Sequence, residues 1–187
     1  DRSVMAKRAF DLLGASLALL LLSPLMLLVA LWIKLDSAGP VFYRQTRVGK
    51  NGHTFNCLKF RTMRDAYDAQ GNPLPDSERI TALGQLLRKT SLDEVPQLWN
   101  VLRGEMSLVG PRPLPVSESQ ACEHWQRRRL AVTPGMTCTW QVSGRGSVSF
   151  DDWVRMDLQY AKRTGPWQDL KLIVLTLPAL VFHRGIR

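Results

Sequence analysis

The sequence is short of the residues that build several common sites. Its 187 residues include three cysteines, Cys57, Cys122 and Cys138, an odd number with no C-x-x-C spacing. That argues against a disulfide framework and a cysteine zinc site, and it suits a reducing compartment. Histidine is as scarce, with three scattered copies. Neither G-x-G-x-x-G nor G-x-x-x-x-G-K-[ST] occurs, so neither standard phosphate-binding loop is present. No repeat or low-complexity tract is evident. Acidic residues are also in deficit: 16 stand against 25 lysines and arginines, leaving a net charge of +9. The partners should therefore be anionic: nucleic acid, an anionic membrane surface or phosphorylated small molecules.

One long apolar run is present, LLGASLALLLLSPLMLLVALWI from Leu12 to Ile33. About 22 helical residues reach roughly 33 Å, enough to cross a bilayer core. No A-x-A site follows, which disfavours a cleaved signal peptide. Ser23-Pro24 lies at the centre of the run. Proline removes a backbone donor and crowds the carbonyl of Leu20, which predicts a kink or break there, with the Ser23 hydroxyl as the local donor to the freed carbonyl. Lys7 and Arg8 precede the run, and Lys34, Arg44, Arg47 and Lys50 follow it. A spanning helix puts one of these basic flanks outside, against the positive-inside tendency; a re-entrant hairpin keeps both on the cytoplasmic side. The residues alone leave both topologies open.

Beyond the run, Gly49-Lys50-Asn51-Gly52 between VFYRQTRV and HTFNCLKFRTM predicts a hairpin. Residues 65–79 read as a loop, and Ile80 to Lys89 as a short helix. A second helix is expected from about Asp93 to Arg103, burying Val95, Leu98, Val101 and Leu102, with Gly104 as its stop signal. A short strand at Met106 to Val109 leads to Gly110-Pro111-Arg112-Pro113. Helices are expected at Ser117 to Leu130 and Phe150 to Lys162, separated by a loop from Thr133 through Gly146. The apolar stretch Leu172 to Phe182 is too short to span and suits an interfacial or core helix.

The chemistry centres on Ser91-Leu92-Asp93-Glu94-Val95-Pro96. Proline is at home in the first turn of a helix, which puts Asp93 and Glu94 at a helix start. Ordinary capping explains such residues by itself. The same position would keep Asp93 ionised and attract phosphate. Two adjacent carboxylates can also share a magnesium ion, and an ionised carboxylate can attack phosphorus. Lys59 and Arg61 alternate along one strand face, Arg88 precedes the acidic pair, and Arg112 is held extended between two prolines, a good presentation for bidentate phosphate binding. Each alone also reads as a surface charge. Arg127 to Arg129 reads as a solvated or membrane-facing patch. In PGMTCTWQVSGR, Trp140 is suited to stack on a base, and Gln141 and Arg145 to meet a uracil edge or a pyrophosphate; a core tryptophan between turns fits equally.

The segments KRAFDLLGASLALLLLSP, GPVFYRQTRVGKNG, FNCLKFRTM, LRKTSLDEVPQLWNVLRGEMSLVGPRPL and TPGMTCTWQVSGR cover nearly the whole chain. Together they resemble the monotopic bacterial phosphoglycosyl transferases of the bacterial sugar transferase family, departing from the usual pattern at Cys138 and Gly146. The resemblance implies a small helix-rich α/β catalytic domain over residues 36–187, on the cytoplasmic face of the inner membrane. Residues 5–35 would form a re-entrant helix-break-helix turning at Ser23-Pro24, with interfacial amphipathic helices beside it. It implies transfer of a sugar phosphate from a uridine-linked sugar to undecaprenyl phosphate, with release of UMP, as the first membrane step of surface glycan assembly. Asp93 is then the nucleophile, working with Glu94 and Mg2+, and Arg112 lies at the phosphate site. The implied partners are the nucleotide sugar, the polyprenol phosphate and membrane lipids, with a homodimer left open and no nucleic acid. Family members with an additional N-terminal helical bundle exist; the chain is expected to be a short member or a catalytic region. Two rivals stand beside this reading: a membrane-bound glycosyl transferase that releases UDP, and a membrane-tethered nucleic-acid binder.

Overall fold

A computed structural model describes residues 2–142 and 148–181. Helix α1 (Arg2–Asp36) carries the apolar run. Its buried or half-buried residues Asp11, Ala15, Leu19, Leu22, Met26, Val29 and Ile33 recur every three or four positions, forming one stripe along the helix. The first half of the stripe packs on Cys57, Leu98, Val101 and Met106, and the second half on Phe60, Leu83 and Leu87. The opposite face is open: Leu13, Leu20 and Leu27 are all more than 70% exposed. A continuous apolar face of this size marks contact with something other than water.

The expected break at Ser23-Pro24 is not formed. Pro24 sits inside one uninterrupted helix. The Leu20 carbonyl, which proline deprives of its usual donor, accepts the Ser23 hydroxyl at 2.9 Å. The local donor thus satisfies the freed acceptor, and the packing stripe continues on both sides of the proline.

Both ends of α1 are tied to the same domain. Lys7 Nζ donates to Ser107 Oγ at 2.9 Å, to the Val109 carbonyl and the Tyr160 hydroxyl at 3.0 Å each, and pairs with Asp169. Arg8 donates to the carbonyls of Val101 and Leu102 at 2.6 and 2.8 Å. Asp11 accepts from Ser107 Oγ and the Leu108 amide. At the far end Val29 and Ile33 are buried in a cluster with Phe60, Leu83 and Leu87.

The predicted hairpin is present. Strands β1 (Phe42–Val48) and β2 (Thr54–Phe60) pair antiparallel with Tyr43 opposite Lys59. Their connection turns through Asn51 (φ 56°) and Gly52 (φ 82°), the left-handed values that favour these two residues. Residues 65–75 follow as a loop ending in the one-turn helix α2 (Asp76–Arg79). Helix α3 (Ala82–Thr90) is capped by the Thr81 side chain on the Gly84 amide. Gly84 lets it lie against the chain at Thr62, since a Cβ there would fall 2.0 Å from the Thr62 carbonyl oxygen.

The second expected helix is divided. A single 3-10 turn, Leu92–Glu94, precedes helix α4 (Gln97–Arg103), which ends at left-handed Gly104 as predicted. Asn100 locks α4 to β2: its side chain donates to the Asn56 carbonyl and accepts from the Leu58 amide. Strand β3 (Ser107–Val109) runs parallel to β5 (Gly135–Thr137), while β4 (Leu114–Pro115) joins the free edge of β1.

The helix expected over Ser117 to Leu130 is also divided. Helix α5 (Val116–Gln120) stops early, and a 3-10 stretch spans Gln126–Ala131. Arg127 donates to the Gln120 and Cys122 carbonyls and so ends α5. Within the loop expected from Thr133 to Gly146 lie β5 and the short helix α6 (Thr139–Val142). Helix α7 (Phe150–Ala161) appears where predicted, opened by a Ser149 cap on Asp152. Helix α8 (Pro166–Val181) buries Asp169 and Leu172 and exposes Trp167, Val174 and Leu177, two faces as an interfacial helix requires.

Candidate active site

Helix α3 ends at Ser91, whose φ of 59° is in the left-handed region. For a residue other than glycine that conformation costs roughly 1–2 kcal/mol. It turns the chain sharply into the Leu92–Glu94 turn and so fixes Asp93 and Glu94 between α3 and α4. Strained backbone of this kind gathers at functional sites. The amides of Glu94 and Val95 are already bonded to the carbonyls of Ser91 and Leu92, both at 3.3 Å. The acidic pair therefore sits in the turn before α4 rather than at the start of α4 itself, with the Glu94 and Val95 amides already bonded and the Asp93 amide facing its own carboxyl.

The two carboxyls have different environments. Asp93 is 9% exposed. Burial, and then the neighbouring Glu94 charge, push its pKa up to about 6, against the pull of Lys59 and Arg88. It is thus harder to ionise than the sequence suggested. Burial also acts on Glu94, but Arg112 and Lys59 outweigh it and hold the carboxyl below its ordinary value. Glu94 Oε1 faces Lys59 Nζ and Arg112 Nη2, each at 3.5 Å. A carboxylate pair split in this way offers two distinct chemical roles.

The pair opens into a cleft of about 1490 Å3. Lys59, Arg64, Arg79, Arg88, Lys89 and Arg112 line it, against Asp65, Asp76, Asp93 and Glu94. Arg61 and Gln141 are on the wall as well, so the expected side chains that fall among the described residues share one site. Ser23 and Pro24 are on α1, away from it. Arg61 points its guanidinium at the Ser37 and Ala38 carbonyls, bracing the turn after α1. Arg88 Nε donates to Thr62 Oγ1 at 2.9 Å. Gln141 is buried and accepts from the Cys138 amide at 3.3 Å. Arg145 and the Trp140 side chain lie outside the described residues.

Three residues at the site were not singled out from sequence. Arg47, read there as a basic flank, is buried and donates to the Pro113 carbonyl at 2.6 Å. Period-two alternation in β1 puts it on the same face as Tyr43 and Gln45, which line the cleft. Arg129, read as part of a solvated patch, is 3% exposed; it pairs with Asp157 at 2.6 Å and donates to the Arg112 carbonyl at 2.7 Å. Asp157 lies on the buried stripe of α7 between Val154 and Tyr160, and an acid on such a stripe is the available signal.

The chain is similar to known proteins along most of its length. The family model described as bacterial sugar transferase matches residues 2–183. The chain is 43% identical to the exopolysaccharide production protein ExoY of Rhizobium meliloti, over 97% of this chain and 88% of that protein. It is 44% identical to the undecaprenyl-phosphate glucose phosphotransferase of Komagataeibacter xylinus, over 97% of this chain and 37% of the longer relative. It is 39% identical to the undecaprenyl-phosphate galactose phosphotransferase of Salmonella typhimurium, over 96% of this chain and 41% of that one. With residues 2–183 matched in this way, the chain belongs to the bacterial sugar transferase family.

Proposed function

We propose that the chain transfers a sugar-1-phosphate from a UDP-sugar to undecaprenyl phosphate, releasing UMP, through a covalent aspartyl-phosphosugar intermediate. The observation that carries this reading is the split acidic pair, Asp93 beside Glu94, opening into a basic cleft. The names of two relatives, phosphotransferases acting on undecaprenyl phosphate, support the acceptor. In the first step an Asp93 oxygen attacks the β-phosphorus of the donor, the bond to the UMP oxygen breaks, and UMP leaves. In the second, an oxygen of the polyprenol phosphate attacks the same phosphorus and frees the Asp93 carboxylate. Arg112, Lys59 and Arg88 hold phosphate oxygens, and Gln141 and Arg145 serve the nucleotide end. The basic cleft suits two anionic substrates.

Magnesium fits the donor set. Among the described residues no group of three His, Cys, Asp or Glu gathers at one point. Adjacent carboxylates together with substrate phosphates and water are the usual ligands of this ion, so Glu94 and Asp93 would hold it jointly with the donor. When bound it would neutralise charge on the diphosphate.

The tie of both α1 ends to one domain supports a monotopic placement, and the basic flanks of the apolar run suit the cytoplasmic face of the inner membrane. A continuous α1 lying along the domain with its leucine face in lipid, beside an interfacial α8, fits that placement.

The test uses stoichiometric enzyme, magnesium and UDP-sugar, with no acceptor. UMP should appear up to about one equivalent per site, and the protein should gain one phosphosugar at Asp93. Strict dependence of UMP release on polyprenol phosphate would sink the covalent route, and release of UDP would sink phosphosugar transfer altogether.

A further inference from the structure

Pro111 and Pro113 have no backbone N–H, so the segment carrying Arg112 is tied down mainly through its carbonyls. All three carbonyls are taken. The Gly135 amide donates to Pro111 at 2.9 Å, Arg129 Nη2 to Arg112 at 2.7 Å, and Arg47 Nη1 to Pro113 at 2.6 Å. Two of the three donors are buried guanidiniums, and each is itself held. Arg129 meets Asp157 Oδ2 through Nε at 2.9 Å and Nη2 at 2.6 Å, and lies over the Trp153 ring. Arg47 meets Gln45 Oε1 through Nε at 3.2 Å and Nη2 at 2.8 Å.

Burying a charged group is costly, and a buried ion pair is weak evidence of stabilisation. Two such groups spent on adjacent carbonyls call for another reason. Among the described residues, the one ion pair of the Arg112 side chain is its 3.5 Å approach to Glu94, so its aim depends largely on its backbone. Bidentate phosphate contacts demand placement to about 0.5 Å. We infer that Arg129, braced by Asp157, and Arg47, braced by Gln45, are positioning residues that hold the Pro111–Pro113 backbone so that Arg112 meets the donor phosphate. This deepens the proposed function and rests on Arg112 being a phosphate ligand.

The test is a double-mutant cycle on the whole chain in a membrane mimetic, read as the second-order rate constant of single-turnover, acceptor-independent UMP release, with unfolding midpoints measured in parallel. R112A should lose at least 30-fold and R129Q at least 10-fold. The double variant should be within twofold of R112A alone, because Arg129 acts through Arg112. Losses that multiply in the double variant would overturn the inference, as would R129Q keeping more than half of wild-type activity. R47K, which keeps a cation near Glu94, is the milder change and runs the same cycle if R129Q does not fold. If R112A itself keeps near-full activity, the reading of Arg112 fails; an impaired R112A with multiplying losses overturns the positioning role alone.

Discussion

Arg112 Nη2 and Lys59 Nζ approach the same oxygen of Glu94, each at 3.5 Å, from opposite sides of the chain order. Lys59 comes from the hairpin and Arg112 from the proline-bounded segment before β4. Both distances are longer than a tight charge-assisted bond, which is nearer 2.8 Å. The two cations are therefore gathered by Glu94 without being tightly paired to it, which on the proposed reading leaves them available to an incoming phosphate.

Arg112→Lys tests this availability. Lysine keeps the charge but has no planar fork, and a bidentate site does not accept it as equivalent. Acceptor-independent UMP release should fall at least 10-fold, with normal expression and membrane recovery. Near-full activity in the lysine variant would reduce Arg112 to a general positive charge.

Membrane placement gives the second prediction. Val4 is exposed close to the Lys7 tie. The native cysteines are buried, so a Val4→Cys variant should report without interference. In sealed inverted vesicles and intact cells the new thiol should react only from the cytoplasmic side. Because α1 already runs through Pro24 and Ser23 satisfies the Leu20 carbonyl, Pro24→Ala should leave the side of labelling unchanged. Labelling of Val4→Cys from outside alone, with Pro24 intact, would exclude a monotopic helix.

The hairpin and the acidic pair were legible for local reasons. The left-handed Asn51 and Gly52 write the turn into the sequence, and Pro96 marks the start of α4. What stayed hidden depends on distant contacts. The parallel pairing of β3 with β5 joins three-residue segments with a wide sequence separation, too short for alternation to register. Arg129 sits in a run of three arginines, and nothing local separates the buried one from its neighbours. The continuity of α1 was hidden because a proline signals a defect, whereas its outcome depends on whether Ser23 satisfies Leu20.

The last prediction concerns the cost of keeping Asp93 charged. Its folded-state pKa is about 6 against an ordinary 3.8, with burial the leading cause. Above about pH 6 the carboxyl is ionised in both folded and unfolded chains, and the fold carries the full penalty. Each pKa unit corresponds to 1.36 kcal/mol, so the penalty is roughly 3 kcal/mol. As pH falls from about 6 toward 3.8 the folded protein takes up the proton first, so this group's penalty fades; below 3.8 both states are protonated and it is gone. Asparagine never carries the charge. In chelator, without magnesium, Asp93→Asn should therefore unfold at a higher temperature than the parent at pH 7.5, and the gap should narrow progressively as the pH is lowered to about 4. The same variant should release no UMP and form no adduct, since an amide is a poor nucleophile. Stability lost at pH 7.5 on making the change would mean that the ionised carboxylate holds the turn together, and that its environment favours the charge.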